Sequence, residues 1–183
     1  IYKGKFNHLT LHRLAGIYER LGKRKEAFEC LQKAINLKKN YAEAYCDIGR
    51  YLLDAKEIKS ALNYFAKAIE YKPDLFGAYI NIGNIYQKLG NLLEAMKYFQ
   101  KSLEINNKIP ITFYNIGTIY AIEKNYIDAE RNYKSALKCD KNFNPAKIGL
   151  VEIYLNTFNI KSSLDSSDKL RPQEPLFHGL TIT

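Results

Sequence analysis

The residues able to do chemistry in this 183-residue chain are few and scattered. His8 and His12 stand one helical turn apart, and Cys46 lies 34 residues beyond His12. Two imidazoles and a thiolate are zinc ligands by type. His8 sits near a fraying end and no fourth ligand follows, so these read as ordinary surface and groove residues; no metal or cofactor is expected. Cys30, Cys46 and Cys139 are odd in number, far apart and form no C-x-x-C. That fits a reducing compartment such as the cytoplasm better than a disulfide framework. Cys139 falls at an apolar helix position, where a buried, inert thiol is expected. There is no phosphate-cradling G-x-x-x-x-G-K-[ST] loop, no G-x-G-x-x-G, no G-x-S-x-G, no H-E-x-x-H and no EF-hand loop. The chain does not read as an enzyme. What remains is amide chemistry. Asn81 and Asn115 are 34 residues apart, with Asn84 close by. A carboxamide both donates and accepts, so it can pair with a peptide backbone of any sequence.

The elements that position these amides recur. Gly49, Gly83 and Gly117 are 34 residues apart, as are Ala27, Ala61, Ala95 and Ala129, and Leu31, Phe65, Phe99 and Tyr133. Ile48, Ile82 and Ile116 keep the same step, with Leu14 before and Leu150 after, and Tyr45, Tyr79 and Phe113 form a further column. A fixed period of this length indicates a stacked repeat. Within one period, Tyr79, Gly83 and Tyr86 share one helix face, and Ala95, Phe99 and Ser102 share another. Leu89-Gly90-Asn91 separates the two helices, and Lys72-Pro73-Asp74 closes the preceding period. The small residues leave room for the rings of the partner helix.

Tyr79-x2-Ile82-Gly83-x2-Tyr86 followed by Ala95-x3-Phe99 resembles the tetratricopeptide repeat (TPR), with Tyr in the usual Trp position. The resemblance implies an all-α, right-handed solenoid of helix–turn–helix hairpins. Repeats are placed at 8–41, 42–75, 76–109 and 110–143, behind a lead-in at 1–7. The first is degenerate, with Ala15 for the glycine and Leu11 for the aromatic. A capping helix follows at 144–157. It keeps Leu150 and Tyr154 but carries Lys147 and Val151 at core positions, and it is apolar nearly all round, which calls for cover on several sides. The tail, 158–183, is read as a degenerate helix marked by Ile160 and Leu164 or as an extended segment. Residues 162–168 look polar and loop-like. Leu176, Phe177, Leu180 and Ile182 are expected to fold back onto the capping helix or onto a neighbouring chain, so self-association through the C-terminal helix or tail is open.

Twenty-eight Lys and Arg against 19 Asp and Glu leave a net charge of +9. Lys, Asn, Ile and Tyr are all abundant, a bias that an AT-rich coding sequence would produce by itself. Lys23-Arg24-Lys25 and Lys38-Lys39 are the densest basic runs, but Glu57, Glu94 and Asp128 interrupt the pattern and the periodic aromatics are committed to packing. A solvated basic face is therefore favoured over nucleic-acid binding. No run of 18 apolar residues predicts a transmembrane helix. A start at Ile1 reads as a fragment or processed form.

By the TPR resemblance, positions 2, 5, 6, 9, 12 and 13 of each repeat line a peptide groove. The acidic and basic groove residues balance, so the +9 lies on the outer face and the turns. Asn81 and Asn115 share position six, similar to the asparagine ladder of the TPR arm of O-GlcNAc transferases. The carboxylate clamp of chaperone-binding TPR domains is not expected. Its positions hold Ile80, Asn84, Asn115, Pro145 and Gly149, without a cation to pair a buried carboxylate. The expected function is a protein-interaction scaffold holding an extended peptide of a protein partner through Asn81, Asn84, Asn115, Arg50 and Lys88, with Tyr114, Ile80 and Ile111 as apolar pockets. The alternatives are a substrate-recruiting arm of a larger enzyme such as a glycosyltransferase, and a permanent structural subunit of an assembly.

Overall fold

The computed structural model describes residues 6–168, with side chains as far as Phe158. Among these are nine helices and no strand: α1 His8–Arg20, α2 Arg24–Leu37, α3 Ala42–Asp54, α4 Ile58–Tyr71, α5 Phe76–Lys88, α6 Leu92–Ile105, α7 Pro110–Ile122, α8 Tyr126–Cys139 and α9 Asn144–Asp168. The fold is an all-α solenoid. α1, α3, α5 and α7 each pair with the next helix as a hairpin, and each second helix meets the first helix of the following unit. First helices also touch one another, α3 on α5, α5 on α7 and α7 on α9, so they line the inside of the stack.

The repeated columns are the core. Ala27, Ala61, Ala95 and Ala129 are fully buried, as are Phe65 and Phe99, with Leu31 and Tyr133 almost so. The glycine column exists because of the rings. A Cβ at Gly83 would lie 2.6 Å from the Phe99 ring, and at Gly49 it would lie 2.7 Å from Phe65. The first hairpin solves the same problem with Ala15 against Leu31, a larger first residue facing a smaller second, both buried. Its departure from the pattern is thus a compensated pair.

All four turns between paired helices carry a left-handed residue at the same repeat position: Gly22 (φ 72°), Lys56 (φ 64°), Gly90 (φ 77°) and Lys124 (φ 60°). The turn closes by hydrogen bonds such as Asn91 N–H to Tyr86 O at 2.9 Å, repeated by Asn125 N–H to Tyr120 O at 2.9 Å. Glycine marks this turn in the sequence at Gly22 and Gly90. At Lys56 and Lys124 hairpin packing imposes a conformation that costs an L-residue on the order of 1 kcal/mol.

One seam differs from its equivalents. Ala34 and Ala44, Ala68 and Ala78, and Ala136 and Ala146 occupy corresponding buried positions at successive seams. Between α6 and α7 the same positions hold Ser102 and Thr112, fully buried, and neither hydroxyl has a hydrogen-bond partner. A buried unsatisfied hydroxyl is destabilising. Ser102→Ala is expected to raise stability by about 1 kcal/mol, measured by urea denaturation; a loss of stability would show that the hydroxyl is bonded after all.

The C-terminal region departs from the expectation. α9 does not stop at 157, and residues 162–168 are not a loop: the helix runs unbroken to Asp168. From Leu150 to Asp168 there is no Gly or Pro. Ser and Asp are weak helix formers, but they do not terminate a helix. Ile160 and Leu164 therefore continue α9 and do not start a second helix. Lys147 and Val151, expected in the core, are exposed, because no helix lies on their side of α9 among the described residues. Leu176, Phe177, Leu180 and Ile182 lie outside the described residues. Cys139 is exposed, not buried. It ends α8 at a position where Leu37 and Tyr71, its counterparts in α2 and α4, are exposed as well.

Candidate functional site

The first helices α1, α3, α5, α7 and α9 present the groove positions. Over residues 8–158 they carry Arg13, Arg20, Arg50, Lys88 and Lys147 against Glu19, Glu43, Asp47, Asp54 and Glu152. Five charges of each sign leave this layer neutral, so the basic excess sits on second helices and turns. Three cations outside this layer lie over tyrosine faces: Arg24 on Tyr51, Lys38 on Tyr41 and Lys67 on Tyr45, at 5.5–5.9 Å.

The two halves of the groove differ. In α1 and α3 every carboxylate has a basic partner, some from these helices and some from outside them. Arg50 reaches Glu19 at 3.2 Å and Asp47 at 3.6 Å, Lys72 reaches Glu43 at 2.8 Å, and Arg24 pairs with Asp54. Burial pushes the Glu43 carboxyl up, but the Lys72 hydrogen bond and charge outweigh it and hold the group below its ordinary range. His12 lies at the centre of this half. Its Nδ1 is 2.5 Å from the Tyr41 hydroxyl and its Nε2 is 2.7 Å from the Asp47 carboxylate. Burial, followed by Glu43 and Asp47, raises the pKa of Tyr41, so its hydroxyl stays protonated beside Nδ1. Nε2–H then donates to Asp47. Both imidazole nitrogens are committed within the fold. The Cys46 thiol is pushed up to about 11, chiefly by burial. Among the described residues no group of three His, Cys, Asp or Glu has the spacing to hold a metal ion.

In α5 and α7 the groove is uncharged apart from Lys88 at the exposed end of α5. Position six links each repeat to the one before it. Asp47 reaches back to His12, Asn81 Nδ2 lies 3.8 Å from Cys46 Sγ, and Asn115 Nδ2 donates to Asn84 Oδ1 at 2.7 Å. The thiol contact is long and leaves the Asn81 amide with most of its capacity. Asn115 is only 7% exposed. Its main role in the fold is to orient Asn84, which is half-buried and faces the groove beside it. Ile80 is 8% exposed and packs with Phe99 and Ile116, so it supports the groove from beneath and offers no open pocket. The Tyr114 ring is spent on Tyr133 and Phe143, at centroid distances of 5.7 and 5.9 Å. Ile111 remains accessible, joined by Ile122, which is more exposed than Ile111. Sequence reasoning missed the Tyr41 contact. The available signal was Tyr41 itself, the one hydroxyl-bearing residue in a column otherwise filled by Leu75, Ile109 and Phe143.

Comparison with known proteins agrees with this architecture. A family profile described as "Tetratricopeptide repeat" matches residues 8–74 and 74–142. Two solved structures, "Crystal structure of MamA" and "Crystal structure of MamA protein", superpose with TM-scores of 0.63 and 0.61, each at 25% identity over 73% of this chain and over 78% and 73% of theirs. No curated protein matches the chain in sequence. No helix among the described residues is long and apolar enough to cross a membrane.

Proposed function

Since the chain belongs to the tetratricopeptide repeat family, we propose that it is a protein-interaction scaffold that holds an extended, largely uncharged segment of a partner protein along α5 and α7. The observation that carries this is the change in character along the groove. The carboxylates of α1 and α3 are all engaged, by Arg50, His12, Arg24 and Lys72, so a charged segment would have to compete with existing pairs there. The α5–α7 half offers amides and aliphatic side chains: Asn81 and Asn84 for the peptide backbone, with Asn115 beneath holding Asn84 in place, Ile111 and Ile122 for apolar side chains, and Lys88 at the margin. Arg50, tied to Glu19 and Asp47, closes the charged end of this stretch. No carboxylate clamp is part of the reading, since Asn84 and Asn115 bond to each other with no cation among the clamp positions.

Each amide contributes about 1 kcal/mol net. Removing two corresponds to about 30-fold in affinity. Wild-type protein is compared with Asn81→Ala/Asn115→Ala and with Ile111→Glu in cross-linked capture from the source cell, after helicity has been matched. Captured partner peptides are then titrated. Both variants are expected to lose about 30-fold or more. A partner that binds both variants as tightly as wild type would sink the groove reading. It would favour the structural-subunit alternative, for which the exposed apolar side of α9 is the supporting observation.

A further inference from the structure

The apolar residues of α9 form two opposed stripes. Ala146, Leu150 and Ile153 turn toward Ala129, Tyr133 and Ala136 and close the core of the stack. Ile148, Val151, Leu155 and Phe158 lie on the other side, 59%, 57%, 58% and 70% exposed. In α3, α5 and α7 the corresponding glycine is covered by a ring of the helix's own hairpin partner. α9 has Val151 there and continues straight to Asp168 without turning back, so no described helix covers that side. The spacing of the exposed four is 3-4-3, the a/d seam of a coiled coil and narrower than the apolar stripe of an ordinary surface helix.

We infer that α9 is a dimerisation helix, pairing in parallel with α9 of a second copy of this chain. With Ile148 and Leu155 at a, and Val151 and Phe158 at d, Lys147 falls at g and Glu152 at the following e. In a parallel pair the g residue of one strand lies beside the e residue five positions on in the other, so Lys147 of each copy meets Glu152 of the other. An antiparallel pair over the same seam would set Lys147 opposite Asn159 and bring the two Glu152 carboxylates near each other, so neither residue would meet an opposite charge. Both residues are exposed, and neither takes part in an ion pair among the described residues. The exposed parts of the four seam residues can bury up to about 900 Å² over the two copies, just below the size of a stable interface, so the dimer is weak and concentration-dependent. It carries two grooves, and a partner with two binding segments gains avidity from it.

Sedimentation equilibrium of the 183-residue chain between about 5 and 300 µM tests this. The wild-type mass is expected to rise from 21.2 kDa toward twice that value. Leu155→Glu, at an exposed position that leaves the core intact, is expected to stay monomeric with unchanged helicity. Lys147→Glu and Glu152→Lys are each expected to weaken dimerisation several-fold, and the double variant Lys147→Glu/Glu152→Lys to restore it. Asn81→Ala/Asn115→Ala is expected to dimerise as wild type does, which separates this inference from the groove reading. A wild-type monomer at every concentration, with α9 protected from hydrogen exchange by the chain's own residues after Asp168, overturns the proposal. So does a dimer that survives Leu155→Glu, or a charge swap without rescue.

Discussion

Phe99→Ala is expected to cost about 3–5 kcal/mol and to lower the melting temperature by about 10 °C or more. The ring is fully buried among Ile80, Ala95, Ile116 and Ile119 and lies directly over Gly83. A cavity walled by a glycine has no side chain on that side to move in and fill it, so the loss stays near the upper end of the range. The same contact makes a second variant informative. Gly83→Ala places a Cβ 2.6 Å from the ring and is destabilising by itself. Combined with Phe99→Leu, it reproduces the Ala15–Leu31 pair of the first hairpin and is expected to cost less than the sum of the two single changes. Urea denaturation followed by circular dichroism provides the four corners of this cycle. A loss under about 1 kcal/mol for Phe99→Ala would show that the ring is not the wedge between helices α5 and α6.

Tyr133→Ala is expected to cost a similar amount, about 3–5 kcal/mol, with a different spatial signature. The Tyr133 ring is pressed between two glycines on two helices. A Cβ at Gly117 would lie 2.7 Å from it, and a Cβ at Gly149 also 2.7 Å. It therefore joins α7, α8 and α9 at one point. In a linear stack each unit is held only by its neighbours. Loss of this ring is expected to release α9 while α1 to α6 keep their protection, read residue by residue in native-state hydrogen exchange. Tyr133→Phe is the control. Its hydroxyl reaches only Thr118 Oγ1 at 3.5 Å, so the expected change is below about 1 kcal/mol. If the alanine variant exposed the whole stack equally, the units would be coupled far more strongly than nearest-neighbour contact allows.

The helical columns were legible in the sequence because their cause is local and repeated. Whether a helix forms at 76–88 depends on spacing within that window, and the 34-residue step wrote the same solution several times. The Gly–ring contact was legible for the same reason, since a small residue and a large one recur in phase. Even the degenerate first repeat preserved the combined volume of the pair. The candidate groove was legible as a set of positions, but not as a set of available groups. Nothing in the spacing of Ile80 distinguishes a pocket from a supporting core residue. The buried environment of Asn115 and its bond to Asn84 depend on how the next helix stacks, as does the Tyr114 ring against Phe143.

The sequence by itself determined the family, the period, the hairpin as the unit and the absence of known catalytic motifs. Each of these rests on residues close in the chain or in phase along it. Tertiary structure alone decided which groove charges cancel, since His12 and Asp47 are 35 residues apart and meet only because one helix lies against the next. It also decided that Lys56 and Lys124 take up a glycine's conformation and that α9 runs on with one apolar side uncovered. Those outcomes depend on contacts, present or missing, between units, and a repeat period specifies the unit far more tightly than it specifies what each unit meets at its edge.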